Sequence, residues 1–152
     1  MASADITAND TIVRGVNSPN NYVRSEAHLI DGTENAGILA ADTHSLFKLP
    51  KGAMLTGLKI CALENTSSSG AATLQFKAKI GSSAAEAIHS AAIGKADLQK
   101  GDVVCIPVDK IKTYDENDAT IVQLTVATAA LSALKLLVVA EYIPVTEFMT
   151  AG

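Results

Sequence analysis

Thr73-Leu74-Gln75-Phe76-Lys77-Ala78-Lys79-Ile80 alternates between apolar and polar residues without a break. Successive side chains of a strand point to opposite faces. This octet is therefore a strand with a dry face of Leu74, Phe76, Ala78 and Ile80 and a wet face of Thr73, Gln75, Lys77 and Lys79. A sheet that is dry on one side needs a second layer to cover it.

The same period recurs on both sides of this strand. Thr120 to Ala127 sets Val122, Leu124 and Val126 on one face. Tyr22 to Ile30 alternates too, with Val23, Ala27 and Leu29 against Arg24, Glu26 and His28. Ser45 to Leu49 and Val103 to Val108 read as shorter strands, with Pro107 marking an edge or a bulge. Ala53 to Leu63 and Leu134 to Ile143 are apolar on both faces. In the first of these the two faces are Met54, Leu58, Ile60 and Leu55, Cys61, Leu63, and either a central place in a sheet or a subunit interface would cover them.

Turn chemistry separates the strands. Leu49-Pro50-Lys51-Gly52 reads as a tight turn with proline second and glycine fourth. Asn65 to Gly70 is a serine-rich loop, Lys100-Gly101-Asp102 a turn before a strand, and Asp115 to Asp118 an acidic turn. A short strand is expected at Ile38-Leu39. The alanine-rich stretch Ser82 to Ala92 has Ser83 and Glu86 at capping-box spacing, which predicts one short helix. About seven or eight strands at short intervals, with at most that helix, predict an all-β sandwich or barrel.

Composition narrows the function. The chain has 152 residues, 48% hydrophobic and only 18% charged, against about a quarter charged in ordinary soluble domains. That fits one packed domain with part of its surface covered by other chains. Twelve basic residues face sixteen acidic ones with no basic cluster in the sequence, which argues against direct nucleic-acid binding. Met1 to Asn9 lacks the charge and apolar pattern of a secretory signal. Ile121 to Ile143 is long enough to cross a bilayer, but Lys135 and Glu141 interrupt it, so it reads as two strands and a loop rather than a membrane span. Cys61 and Cys105 lie in apolar runs and read as buried free thiols, without a disulfide framework.

No catalytic, cofactor-binding or metal-binding residue is expected. His28, His44 and His89 are scattered and read as surface or rim histidines. Asp115-Glu116-Asn117-Asp118 lacks the glycine and distal glutamate of a calcium loop. Ser67, Ser68 and Ser69 have no nucleophile elbow around them, and the glycines form no phosphate-binding loop. A sugar site would want exposed aromatic rings, and with no Trp only Tyr22 and Tyr114 offer themselves. An enzyme is not expected.

Leu46-Phe-Lys-Leu-Pro-Lys-Gly-Ala-Met-Leu-Thr-Gly-Leu-Lys-Ile-Cys-Ala-Leu63 resembles a passage of small virion proteins of tailed bacteriophages, in which such a turn leads into a long apolar strand. Thr73 to Gly81, Lys100 to Val104 and Leu136 to Ile143 extend the likeness over Ser45 to Ile143, while Ser82 to Ala92 departs from it. The resemblance implies a jelly-roll-like β-sandwich that often assembles as a homotrimer. It implies a capsid decoration, or cement, protein made in the host cytoplasm, whose partner is the major capsid protein and whose place is the capsid exterior. Two alternatives stand beside it: a head-fibre or other minor virion component, and a ligand- or carbohydrate-binding β-sandwich. Residues 1–11 are expected to be a flexible arm and residues 12–152 a single β-sandwich domain.

Overall fold

The computed structural model describes residues 23–32, 43–68 and 71–145. The expected N-terminal arm, the strand at Ile38-Leu39, Ser69 and Tyr22 lie outside them.

Among the described residues nine strands run in chain order: β1 (Arg24–Asp31), β2 (Thr43–Leu49), β3 (Ala53–Ala62), β4 (Thr73–Ile80), β5 (Glu86–Ala87), β6 (Ile93–Gly94), β7 (Val103–Pro107), β8 (Thr120–Ala127) and β9 (Lys135–Pro144). They form two antiparallel sheets. One has the order β1-β9-β3-β7; the other has the order β2-β8-β4-β5, with β6 also on β4. The wiring is that of a long hairpin rolled up. β1 pairs with β9, β2 with β8, β3 with β7, and β4 with the broken strand β5/β6. Counting β5/β6 as one strand gives eight strands in two sheets, the jelly-roll arrangement.

The core lies between the sheets. Leu74, Phe76 and Ala78 from β4 meet Val122, Leu124 and Val126 from β8, all 2% exposed or less. The other sheet contributes Leu55, Leu58 and Ile60 from β3 and Leu136, Val138, Ala140 and Tyr142 from β9. Ile80, expected in this core, is only half-buried, because β4 ends there and the chain turns away at Gly81. That glycine has φ +59°, and a Cβ on it would sit 2.7 Å from Asp118 Oδ2.

Two register details change which faces are wet. In β3 the pairing with β9 shifts between Leu55 and Gly57. A bulge inserts one residue and reverses the alternation beyond it. Leu55 therefore joins Leu58 and Ile60 inside, and the two apolar faces read from the sequence become one buried set and one outer set. The bulge is held by Thr56 Oγ1 donating to the Glu141 carbonyl at 3.1 Å, while the buried Thr113 Oγ1 donates to the Leu55 carbonyl at 2.9 Å. In β1 the expected faces are reversed. Ile30 opposes the buried Leu136 and is itself buried, whereas Val23 is 56% and Leu29 50% exposed. Arg24, Glu26 and His28 share the Ile30 side, and the His28 ring meets Phe47 of β2 edge-on, with centroids 6.1 Å apart.

The helix expected over Ser82 to Ala92 does not form. Ser83 Oγ donates back to the Ile80 carbonyl rather than capping a turn ahead of it. The segment instead runs along the free edge of β4, pairing through Glu86 and Ala87 and burying Ile88 and Ile93. Covering an open sheet edge and filling the core outweigh alanine's helix propensity, which is the highest of any residue but worth less than about 1 kcal/mol per position. One 3-10 turn, Lys95–Asp97, follows. The turn before β3 is displaced by one residue from the expected one. Ala53 N donates to the Pro50 carbonyl, and Gly52 supplies the positive φ of 76° at the third position. The apolar run from Ile121 to Ile143 is β8, a loop and β9. No helix among the described residues is long and apolar enough to cross a membrane.

Candidate interaction surfaces

The outer face of the β1-β9-β3-β7 sheet is the most apolar exposed region described. Leu29 pairs with Leu137, Leu137 with Cys61, and Cys61 with Val103, so one row of these side chains crosses the whole sheet. The next row is Ala27, Val139, Lys59 and Cys105. Val103 is 62% exposed, and Met54 and Leu63 extend the surface along β3. Ion pairs border the two rows, one of them through Lys59 of the second row. Lys135 lies 3.9 Å from Asp31 on one side, and Lys59 lies 3.4 Å from Glu141 on the other. Each partner is about one-third to one-half exposed, so either pair adds little to stability by itself.

The cysteines belong to this face. Cys61 is half-buried and Cys105 exposed, so they are not the buried thiols expected from their apolar neighbours. Continuous apolar sequence does not separate a residue that points into the core from one that points out of an uncovered sheet.

The opposite face has a different character. Gln75, Lys77 and Lys79 of β4, Gln123 and Thr125 of β8, and Ser45 and Lys48 of β2 point outward. These three strands contain no acidic residue, so the lysines form a local positive patch on an acidic chain. The sequence hides it because the lysines come from two strands that neighbour each other only through β8. An open cleft of about 510 Å³ on this side is lined by Thr43, Thr73, Gln75, Lys77, Thr125 and Thr128, among others. No aromatic ring among the described residues lines it, so a sugar would find hydroxyl and amide partners there but no stacking surface from them.

The remaining polar clusters among the described residues are held in structural hydrogen bonds. His89, Ser90 and Asp109 lie close together. Ser90 Oγ donates to Asp109 Oδ2 at 2.9 Å, but both nitrogens of His89 are engaged elsewhere, on the Phe76 amide and the Ala91 carbonyl. His89 is 2% exposed, a core residue rather than the rim histidine expected, while His28 and His44 are exposed. Asp115 Oδ1 accepts the amides of Asn117 and Asp118 at 2.8 and 3.0 Å, an ordinary turn-closing arrangement. Ser67 exchanges backbone hydrogen bonds with Ser132. Tyr114 is half-buried, not a free ring. Among the described residues no group of three or more His, Cys, Asp or Glu is placed to hold a metal ion.

Among the described residues Tyr142 has a displaced acidity. Burial raises its pKa above the ordinary 10.0, and the negative charge of Glu26 raises it further; the nearby Arg24 acts in the opposite direction.

No family model matches the chain. No curated protein matches it either. Among solved structures, it is similar to a chain of the capsid of Ralstonia phage GP4, with 18% identity and a TM-score of 0.56 over 83% of this chain and 86% of that one. It also aligns with a chain of infectious bursal disease virus, Gx strain, at 12% identity and a TM-score of 0.41, covering 79% of this chain and a third (33%) of the other. The first likeness is one of fold and spans most of both chains. This protein has the all-β jelly-roll sandwich that a phage capsid component also has.

Proposed function

We propose that this chain is a structural virion protein of a tailed phage, a decoration or cement protein. It binds the outside of the head and clamps neighbouring copies of the major capsid protein. The observation that carries this reading is the apolar outer face of the β1-β9-β3-β7 sheet, which marks a chain that works in an assembly, on a sandwich whose described polar clusters His89, Ser90 and Asp109 are committed to structure. The shared fold with a capsid chain of Ralstonia phage GP4 supports it. A shell offers many equivalent sites, so an oligomer that presents several weak patches gains avidity without a deep pocket. The resemblance of the Leu46 to Leu63 passage points to a homotrimer, and residues 1–11 would add contacts by ordering on the shell.

The test is to mix the purified full-length chain with empty phage capsids and measure co-sedimentation, alongside mass spectrometry of intact virions. Saturable binding with a fixed copy number per shell is the expected result. Absence from virions and from capsid pellets, with retention on a glycan array, would replace this reading with the carbohydrate-binding one.

A further inference from the structure

The outward residues of β9, in order, are Lys135, Leu137, Val139, Glu141 and Ile143. The first four form a base, two apolar side chains and an acid, centred on Val138. This order is complementary to its own reversal. We infer that the outer face of the β1-β9-β3-β7 sheet pairs with the same face of a second copy of this chain, about a two-fold axis lying across the strands at Val138. The inference rests on the reading of this chain as an assembling virion protein and deepens it by giving the apolar face to contact between copies, so that the shell is met by other surfaces of the pair.

In that arrangement the two β9 strands run antiparallel across the interface. Lys135 of each copy meets Glu141 of the other, and Leu137 meets Val139. The in-chain ion pairs extend the pattern. Lys59 already lies beside Glu141 and Asp31 beside Lys135, so each end of the interface gathers four charges of alternating sign. The parallel alternative would oppose Lys135 to Lys135 and Glu141 to Glu141, and like charges at close range are costly. The rows Leu29–Leu137–Cys61–Val103 and Ala27–Val139–Lys59–Cys105 then cover each other, which explains large apolar side chains left on an open sheet.

The size of the face predicts how tight the pairing is. The four strands, eight, ten, ten and five residues long and about 4.8 Å apart, cover about 500 Å² per copy. About 1,000 Å² in total is the size of a weak, transient interface rather than of a permanent one. The pair therefore forms reversibly in solution and is consolidated when a shell holds two copies side by side. A homotrimer, if formed, uses a different surface.

Charge reversal tests this directly. The full-length chain is followed by sedimentation over a concentration series reaching about 100 µM. The wild type should pass from monomer to dimer. Lys135→Glu alone should stay monomeric, because it opposes two carboxylates at each end of the interface, and Glu141→Lys alone should stay monomeric for the mirrored reason. An equimolar mixture of the two variants should dimerise, since every cross-contact is then acid against base. Unchanged thermal melting of both variants separates this from misfolding. Alkylation of Cys105 should slow at least about fivefold between the dilute and concentrated wild type, as the opposite face shields it.

Single variants that pair as well as the wild type, or a mixture that stays monomeric, would overturn the inference. So would a wild type that remains monomeric or forms only a trimer unaffected by either substitution. If that wild type still binds capsids, the decoration reading stands and only the two-fold contact falls. If the wild type pairs as described but ignores capsids, the reverse holds.

Discussion

His89 completes the hydrogen bonding of Phe76, a residue on a strand to which it does not belong. Its Nε2 accepts the Phe76 amide at 3.0 Å, and Nδ1 therefore carries the proton and donates to the Ala91 carbonyl at 2.6 Å. Phe76 lies on β4 near the point where its short partner β5 stops, and Ile88 N bonds the Phe76 carbonyl, so the two groups of one residue are satisfied by neighbours in the wrapping segment. An unpaired amide buried there would cost free energy, and the imidazole takes the place of a missing strand partner.

His89→Leu keeps the volume and removes both hydrogen bonds. It strands a buried amide and leaves a carbonyl without its donor, so the domain should lose about 2–4 kcal/mol in urea denaturation. A loss under about 1 kcal/mol would mean that water reaches the Phe76 amide.

Phe76 itself is 0% exposed and faces the β3-β9 sheet. Phe76→Ala should cost about 3–5 kcal/mol by equilibrium unfolding, the range for removing a buried aromatic side chain from a packed core. Ile80→Ala, at the half-buried end of the same strand, should cost distinctly less. Equal losses would contradict the turn at Gly81.

Thr66 offers the opposite sign. Its hydroxyl is buried and finds no hydrogen-bond partner among the described residues, while its amide bonds the Leu98 carbonyl and its own carbonyl accepts Gln99 Nε2. Thr66→Val replaces the stranded hydroxyl by a methyl group of the same shape and leaves both backbone bonds. Stability should rise by about 1 kcal/mol, read as a higher denaturation midpoint. A fall would show that the hydroxyl is hydrated.

Tyr142 gives a dependence on alkaline pH. Its folded pKa is raised, first by burial and then by Glu26. The unfolded chain therefore releases this proton before the folded one does. The contribution to stability is constant below the ordinary value of 10.0 and declines as pH rises through it towards the folded pKa. Absorbance titration in a Tyr22→Phe, Tyr114→Phe background isolates the group. Glu26→Gln should bring its midpoint part of the way down, leaving the share due to burial. An unmoved midpoint would assign the whole shift to burial.

Much of the fold was readable from local pattern. β4 and β8 have the predicted limits, because strict alternation with one buried face fixes a strand and its register together. Lys100-Gly101-Asp102 turns as expected, with Gly101 at φ +94°, and Pro107 falls on the edge strand β7, where a missing amide costs no ladder bond. Where both faces of a strand are apolar, the sequence determines that a strand exists but not which side is inside. A one-residue bulge at Leu55–Gly57 decided that for β3. β1 does alternate, yet its Val23 and Leu29 side faces out, because Ile30 takes the inner position opposite Leu136. The interaction surfaces were legible only as an excess of apolar residues in Ala53 to Leu63 and Leu134 to Ile143. Leu29, Leu137, Cys61 and Val103 are far apart in the chain and become one row only when β1, β9, β3 and β7 lie side by side. The same holds for Lys48, Lys77 and Lys79 on the other sheet. Local alternation is a property of neighbours in sequence; the composition of a sheet face is a property of strand order, and strand order is set by which long-range pairings bury the most apolar surface together.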